Sequence, residues 1–329
     1  MKARIEETVR EMCPPVSERH QVHIVNPAAG RGRLLEAVRR AIADTAGEIR
    51  ESAEPGDVTR LVRELFEAEP YAHAVVYGGD GTVFEAVNGI MQSGAGRTAS
   101  FSVIPAGSGN DFSTHANDSG LHPKSVIAPI DVIRTVSDGV ERYYANMMNI
   151  GFDCSVVAQT LWLKEKTFLR GSAAYIGGVA KELFVKKTTD VTVEFSGCVN
   201  PADNSALPDL QLKQKMLLTA VGNGSCCGGG FHALPLAALD DGYMDALVVN
   251  DVSRMKFVAL VGDYRAGTYV DERGALKEKF RPILRFVRCR RMRITGPERF
   301  CLDGEIFPTG EDRMIEASVM PLALNYVPV

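Results

Sequence analysis

Two short runs in this chain set carboxylates among glycines, and each follows an apolar stretch. Gly78-Gly79-Asp80-Gly81-Thr82 comes directly after Ala74-Val75-Val76-Tyr77, and Pro105-Ala106-Gly107-Ser108-Gly109-Asn110-Asp111 comes directly after residues 101–104. Glycine lets backbone approach a ligand closely, and the free N–H groups of a helix start favour anions. A bare phosphate would not call for an acid there. A phosphate carrying Mg²⁺ would, because that ion takes carboxylate and phosphate oxygens as ligands. Asp80 and Asp111 therefore point to a nucleotide and its metal. A third turn, Asn26-Pro27-Ala28-Ala29-Gly30, follows another apolar run at residues 22–25. Far along the chain, Asp303-Gly304-Glu305 reads as a hairpin turn with a carboxylate on either side of its glycine.

These turns need a frame. Residues 22–25, 74–77 and 101–104 read as buried strands, while Leu34, Leu35, Val38 and Ile42, then Val58, Leu61, Val62 and Leu65, then Val83, Ala86, Val87, Ile90 and Met91 recur at helical spacing. Strands alternating with helices predict a doubly wound parallel sheet, which binds ligands beyond the carboxyl ends of its strands. Asn26, Asp80 and Asp111 all fall at such ends. Beyond about residue 128 the pattern changes to short strand-like runs at 191–195, 216–221, 243–249 and 292–295, punctuated by Gly, Pro, Asn and Asp. That predicts an antiparallel second domain, a β-sandwich, interrupted by helices over 172–187 and 252–268. The expected division is an N-terminal extension at 1–20, an α/β domain at 21–128 and a sandwich at 129–314. Residues 315–329 are expected to return to the first domain.

At 329 residues, 45% hydrophobic and 24% charged, the chain has the composition of a soluble two-domain protein. Its net charge of −4 gives no general pull toward nucleic acid. No apolar stretch approaches the ~20 residues of a membrane span, and the N-terminus carries no apolar signal core. A cytoplasmic location is expected. Seven cysteines, scattered except for Cys226-Cys227 and without a Cys-x-x-Cys pair, suggest free thiols rather than zinc. There is no Gly-x-x-x-x-Gly-Lys-Ser/Thr loop and no Gly-x-Ser-x-Gly elbow. Gly94-Ala95-Gly96-Arg97-Thr98-Ala99 matches the dinucleotide fingerprint but precedes a strand, so a surface loop is expected there.

Taken together, the turns resemble the soluble diacylglycerol kinase and sphingosine kinase family of lipid kinases, especially its bacterial diacylglycerol kinase members. Gly-Gly-Asp-Gly-Thr alone also fits NAD kinases and phosphofructokinases, which share the first-domain architecture. The run from Pro105 to Phe112 and the later Asp303-Gly304-Glu305 narrow the match. So do Asn149-Ile150-Gly151-Phe152-Asp153, Gly222-Asn223-Gly224, Gly228-Gly229-Gly230 and Asp240-Asp241-Gly242, all in family order. The resemblance implies ATP and Mg²⁺ as cofactors. Asn26, Pro27, Ala28, Ala29 and Gly30 match the first ATP-binding turn, and Ser52 stands where the family carries a threonine near the nucleotide. Gly78, Gly79, Asp80, Gly81, Thr82, Val83, Phe84 and Glu85 match the central nucleotide loop, and Gly107, Ser108, Asn110 and Asp111 the next. Asp80 and Asp111 match acids linked to the catalytic Mg²⁺. Ala238, Asp241 and Tyr243 match a second, structural Mg²⁺ site. Glu305 matches the proton acceptor, with Asp80 and Asp303 as competitors for that role.

The implied reaction is phosphorylation of a primary lipid hydroxyl, with diacylglycerol to phosphatidic acid as the leading expectation. The partners implied are a lipid acceptor, an anionic membrane surface met peripherally and a second copy of the chain. A NAD kinase-like phosphotransferase stays open. So does a catalytically weak regulator that binds lipid or nucleotide, favoured by Phe84 where asparagine is frequent and by Ser113-Thr114-His115 where an arginine is usual. Trp162, Leu163, Lys164, Lys166, Phe168 and Arg170, followed by Tyr175, Ile176, Leu183 and Phe184, either dock on an anionic bilayer or face a core.

Overall fold

Strand β1 (Gln21–Val25) buries every residue after its first, as expected of a strand covered on both faces. The chain continues through α1 (Leu34–Ala41), β2 (Glu48–Glu51), α2 (Asp57–Ala68), β3 (His73–Gly78), α3 (Asp80–Gln92), β4 (Ser100–Pro105) and α4 (Asp111–Asp118). The computed structural model describes residues 15–29, 34–41, 47–107, 109–118, 126–166 and 188–329. Gly30, Ile42, Ser108, the helix expected over 172–187 and the residues Phe168 and Arg170 before it lie outside the described residues. The side chains of Leu163, Lys164 and Lys166 do too.

Two compact units result. The first runs to Val132 and includes Leu239–Asp241 and Met320–Val329; the second comprises Ile133–Ala238 and Gly242–Val319. In the first unit β2, β1, β3 and β4 lie side by side, all parallel. β2 carries no apolar signal because Glu48-Ile49-Arg50-Glu51 is a partly exposed edge. The run at 94–99 is the loop that joins α3 to β4, with Gly94 and Arg97 exposed and Ala95, Gly96 and Ala99 buried. Beyond β4 the sheet is completed from far away, where Tyr326 pairs with Phe101 in parallel. Tyr326 meets Phe101 and Phe112 edge-on, each at 5.3 Å between ring centres. The amide of Asn325 donates to the carbonyls of Arg97 and Ala99.

The second unit is antiparallel. Its strands are the later part of β5 (Ala128–Ser137), β6 (Val140–Tyr144), β7 (Met147–Gly151), and, after α5 (Phe152–Lys166), β8 (Thr189–Ser196), β9 (Leu210–Gly222) and β10 (Met244–Asn250). Helix α6 (Arg254–Ala266) follows, then β11 (Leu284–Cys289), β12 (Arg291–Thr295), β13 (Arg299–Leu302), β14 (Glu305–Pro308) and the start of β15 (Met314–Tyr326). β9 organises the sandwich. Its first half alternates between partly exposed and exposed residues along β8, while Met216 to Gly222 are all buried between β7 and β10. Met147, Phe152, Val156, Leu218, Tyr269 and Phe280 belong to one apolar core. Among the described residues six cysteines are present, all buried and none in a disulfide. No described helix is long and apolar enough to cross a membrane.

Candidate active site

Three turns of the first unit are tied to one another by hydrogen bonds. Ala106 N–H donates to Gly78 O at 2.8 Å, joining the turns after β3 and β4. The two glycines beside that bond leave no space for a side chain. A Cβ on Gly79 would stand 2.8 Å from Gly107 Cα, and one on Gly107 would stand 2.5 Å from Gly79 Cα. The turn after β1 joins them through its asparagine, whose amide donates to Thr82 Oγ1 at 3.2 Å. Asn26 Oδ1 accepts from Ala28 N–H, which shapes that turn. Ser52 lies next to it, its N–H donating to Val25 O at 3.0 Å.

Asp80 opens α3 yet serves the next turn. Its Oδ2 accepts from Asn110 N–H at 2.8 Å and its Oδ1 from Phe112 N–H at 3.4 Å. Burial raises the pKa of Asp80, and the backbone N–H groups only partly oppose that. Asn110 sits at φ +58° and braces the turn, its amide exchanging hydrogen bonds with Gly107 N–H and O. Gly109, which carried no sequence assignment, is where the two acids converge. A Cβ there would stand 2.7 Å from Asp80 Oδ2 and 3.3 Å from Asp111 Oδ2. The signal for it was the spacing Gly107-Ser108-Gly109, since only residues without a side chain fit both positions.

These residues fit Mg²⁺ and a triphosphate. The ion is commonly held by one or two carboxylates together with phosphate oxygens and water, and Asp80 and Asp111 flank one point. Among the described residues no cluster of three or more His, Cys, Asp or Glu side chains could hold a metal ion unaided. The start of α3 adds N–H donors beside glycines that let a phosphate approach.

The remaining expected contacts lie as follows. Val83 and Phe84 are buried, so only their backbone can face a ligand. Glu85 caps α2, its two carboxylate oxygens accepting from Gly56 N–H and Val58 N–H at 3.0 Å each. Of the expected second metal site, Asp241 belongs to the first unit, and Ala238 and Tyr243 to the second. The Tyr243 hydroxyl accepts from the Arg290 guanidinium, which also lies over the ring.

In the second unit, Asp303 and Gly304 form the two-residue turn between β13 and β14, at φ +47° and +95°. Such a turn matches the twist of the strands it joins. The Asp303 carboxylate is buried and accepts from Met147 N–H at 2.7 Å and Ala145 N–H at 3.2 Å. Glu305, two residues on, is exposed. The same unit holds a buried acid that sequence reasoning did not single out. Asp153 accepts a 2.6 Å hydrogen bond from Tyr264 Oη of α6, and burial pushes its pKa up to about 6 despite that bond.

Residues 20–139 match the diacylglycerol kinase catalytic domain, and residues 146–327 match the YegS C-terminal NAD kinase beta sandwich-like domain. A Shewanella frigidimarina protein named "Probable lipid kinase YegS-like" is 28% identical over 290 residues, covering 85% of this chain and 84% of its own. A Pseudomonas aeruginosa protein of the same name is 32% identical over 222 residues, 65% of this chain and 68% of its own. A diacylglycerol kinase crystal structure from Bacillus anthracis strain Sterne shares the fold. Its TM-score is 0.62 at 21% identity, covering 94% of this chain and 97% of that one.

Proposed function

The chain belongs to the lipid kinase family that joins a diacylglycerol kinase catalytic domain to a YegS C-terminal NAD kinase beta sandwich-like domain, and from this we propose an ATP- and Mg²⁺-dependent kinase for the primary hydroxyl of diacylglycerol, giving phosphatidic acid. That it is a kinase acting on a lipid hydroxyl follows from the family. The cofactor and the acceptor are the further step.

The observation that carries it is the convergence of Asp80 and Asp111 on Gly109, at a crossing of glycine turns held together by Gly79 and Gly107. When bound, Mg·ATP supplies the phosphoryl group and neutralises its charge. Asp80 and Asp111 would hold the metal, and the backbone of residues 26–29 and 79–82 would line the phosphates. Phosphoryl transfer is mostly positioning and charge neutralisation, so rigid turns are suited to it. Glu305 would accept the proton of the lipid hydroxyl. Glu305 is exposed, whereas the buried Asp303 carboxylate accepts from backbone N–H groups of the same unit. Asp303 is better described as the residue that holds Glu305 in position.

The test is one assay with labelled ATP, Mg²⁺ and a panel of diacylglycerol, monoacylglycerol, sphingosine and NAD, run beside Glu305→Gln. Labelled phosphatidic acid from the parent and none from the variant is the expected result. Labelling of NAD alone, or of no acceptor, would sink the reading.

A further inference from the structure

Cys226 and Cys227 open a hairpin that three consecutive glycines close. Gly228, Gly229 and Gly230 hold φ of +61°, +74° and +115°, values that residues with a side chain rarely adopt. The chain turns back on itself there, and Cys227 and Phe231 exchange both backbone hydrogen bonds, at 2.9 and 3.0 Å. Their neighbours are brought face to face. His232 Nδ1 lies 3.2 Å from Cys226 Sγ, and Ser225 Oγ lies 3.4 Å from the same sulfur. The backbone N–H of His232 donates to Arg265 O, which anchors the histidine to the end of α6.

Cys226 differs from the other described thiols. Burial pushes those of Cys154, Cys198, Cys289 and Cys301 up, that of Cys154 to about 12, and none of the four is more than 4% exposed. Cys226 and Cys227 are each 8% exposed. Cys227 packs into the apolar core, whereas the histidine beside Cys226 is open to solvent. The thiolate is the reactive form of cysteine, and an adjacent imidazole promotes it.

The hairpin is also joined to the turn that carries Glu305. Cys226 O accepts from the Asn146 side-chain amide at 3.1 Å, and Asn146 O accepts from Asn223 N–H and Gly224 N–H. Gly224 leaves no space for a Cβ beside Asn146 Oδ1. Ala145 and Met147, on either side of Asn146, supply the two N–H groups that hold the Asp303 carboxylate, two positions before Glu305.

We infer that Cys226 is a modification site for hydroperoxides, and that its oxidation lowers turnover by displacing Asn146 and with it the Asp303–Glu305 turn. His232 takes the thiol proton, and the thiolate sulfur attacks one peroxide oxygen. The S–O bond forms as the O–O bond breaks, and the departing oxygen leaves with the imidazolium proton, as water or an alcohol. The sulfur is oxidised to a sulfenic acid and the peroxide is reduced. A bridge to Cys227 is disfavoured, since neighbouring Cα atoms stand about 3.8 Å apart and disulfides usually span about 4.4–6.8 Å. The added oxygen has to push His232 or Ser225 out of contact, and the hairpin moves with it. Only the effect on turnover rests on the lipid-kinase reading; the thiol chemistry stands apart from it.

The full chain is treated with hydrogen peroxide, trapped with dimedone and mapped by peptide mass spectrometry, while turnover of diacylglycerol is followed in parallel. Cys226 should be trapped first, and H232Q should slow its trapping roughly tenfold. Peroxide should lower kcat of the parent about tenfold to a hundredfold, with recovery in dithiothreitol. C226S should match the untreated parent in melting temperature and turnover and resist peroxide. Earlier trapping of any other cysteine, equal rates in H232Q, or equal loss of turnover in the parent and C226S overturns the inference. So does selective trapping with turnover intact. Selective, histidine-dependent trapping in a chain that phosphorylates no lipid even before treatment supports the thiol site and counts against the kinase reading instead.

Discussion

Asp80 Oδ2 accepts a hydrogen bond from the main-chain N–H of Asn110 at 2.8 Å. The acid that follows β3 therefore fixes the turn that follows β4, so one side chain both shapes the nucleotide turns and offers them charge. Its buried position raises its pKa, so a divalent cation beside it would favour the ionised carboxylate.

Asp80→Asn should accordingly separate metal from nucleotide. The affinity for ATP with Mg²⁺ should fall tenfold or more, on the order of the 1.4 kcal/mol per decade that such a ratio represents. Affinity for metal-free ATP should change far less. Titration calorimetry with and without Mg²⁺ measures both, and equal losses in the two titrations would rule out a metal role for Asp80.

Gly107→Ala tests the crossing of the turns. The new methyl would stand 2.5 Å from Gly79 Cα and 2.9 Å from Asn110 Oδ1, with backbone on one side and no room to yield. Overpacking of that kind costs about 1–3 kcal/mol. The expected outcome is a lower melting temperature together with weaker nucleotide binding. Gly304→Ala is the contrast, since nothing lies within 4 Å of a Cβ there and only its φ of +95° is strained. It should leave ATP affinity intact.

Glu305→Gln and Asp303→Asn should differ in kind. Removing a general base costs about 10²–10⁴-fold in turnover, so Glu305→Gln should show that loss in kcat while folding and ATP affinity persist. Asp303→Asn replaces an acceptor of two N–H groups with an amide that can accept through one oxygen only. Leaving one buried donor unmet costs about 1–3 kcal/mol. A lowered unfolding midpoint with a smaller drop in kcat is expected. The reverse ranking in stopped assays would make Asp303 the base.

Asp153→Asn should alter stability with pH. Burial pushes the pKa of Asp153 in the folded protein up to about 6, against 3.8 for an ordinary aspartate. A raised folded pKa contributes stability that is complete below the unfolded value and disappears as pH rises through the folded one. The amount lost is at most about 3 kcal/mol. Asparagine can still accept from Tyr264 Oη but carries no charge. Parent and variant should therefore unfold alike near pH 4, and the variant should be the more stable near pH 8. Denaturant titrations that run parallel across this interval would show that Asp153 is not the titrating group.

What could be read from the sequence was set by local pattern. The apolar runs of β1, β3 and β4 and the helical faces after them announced the parallel sheet, and the glycines after each strand announced the site. β2 escaped notice because a partly exposed edge strand needs no apolar period. Glu85 could not be told from a ligand contact, since its partners, Gly56 and Val58, are brought to it only by folding. Gly109 and Asp153 stood in quoted motifs but received no role, for the same reason. One is defined by two acids around it and the other by a tyrosine 111 residues later. The hairpin at Asp303 was legible as a turn, but its anchoring to Ala145 and Met147 was not.

The pairing of Tyr326 with Phe101 also bears on how this protein is made. Asn325 reaches Ala99 across 226 positions of sequence, so the nascent first unit spends most of synthesis with one flank of β4 bare. An unprotected strand flank invites pairing with neighbouring chains. Crowded polysomes and shortened expression fragments are where insoluble product should accumulate, and peptides spanning residues 320–329 supplied in trans should reduce it.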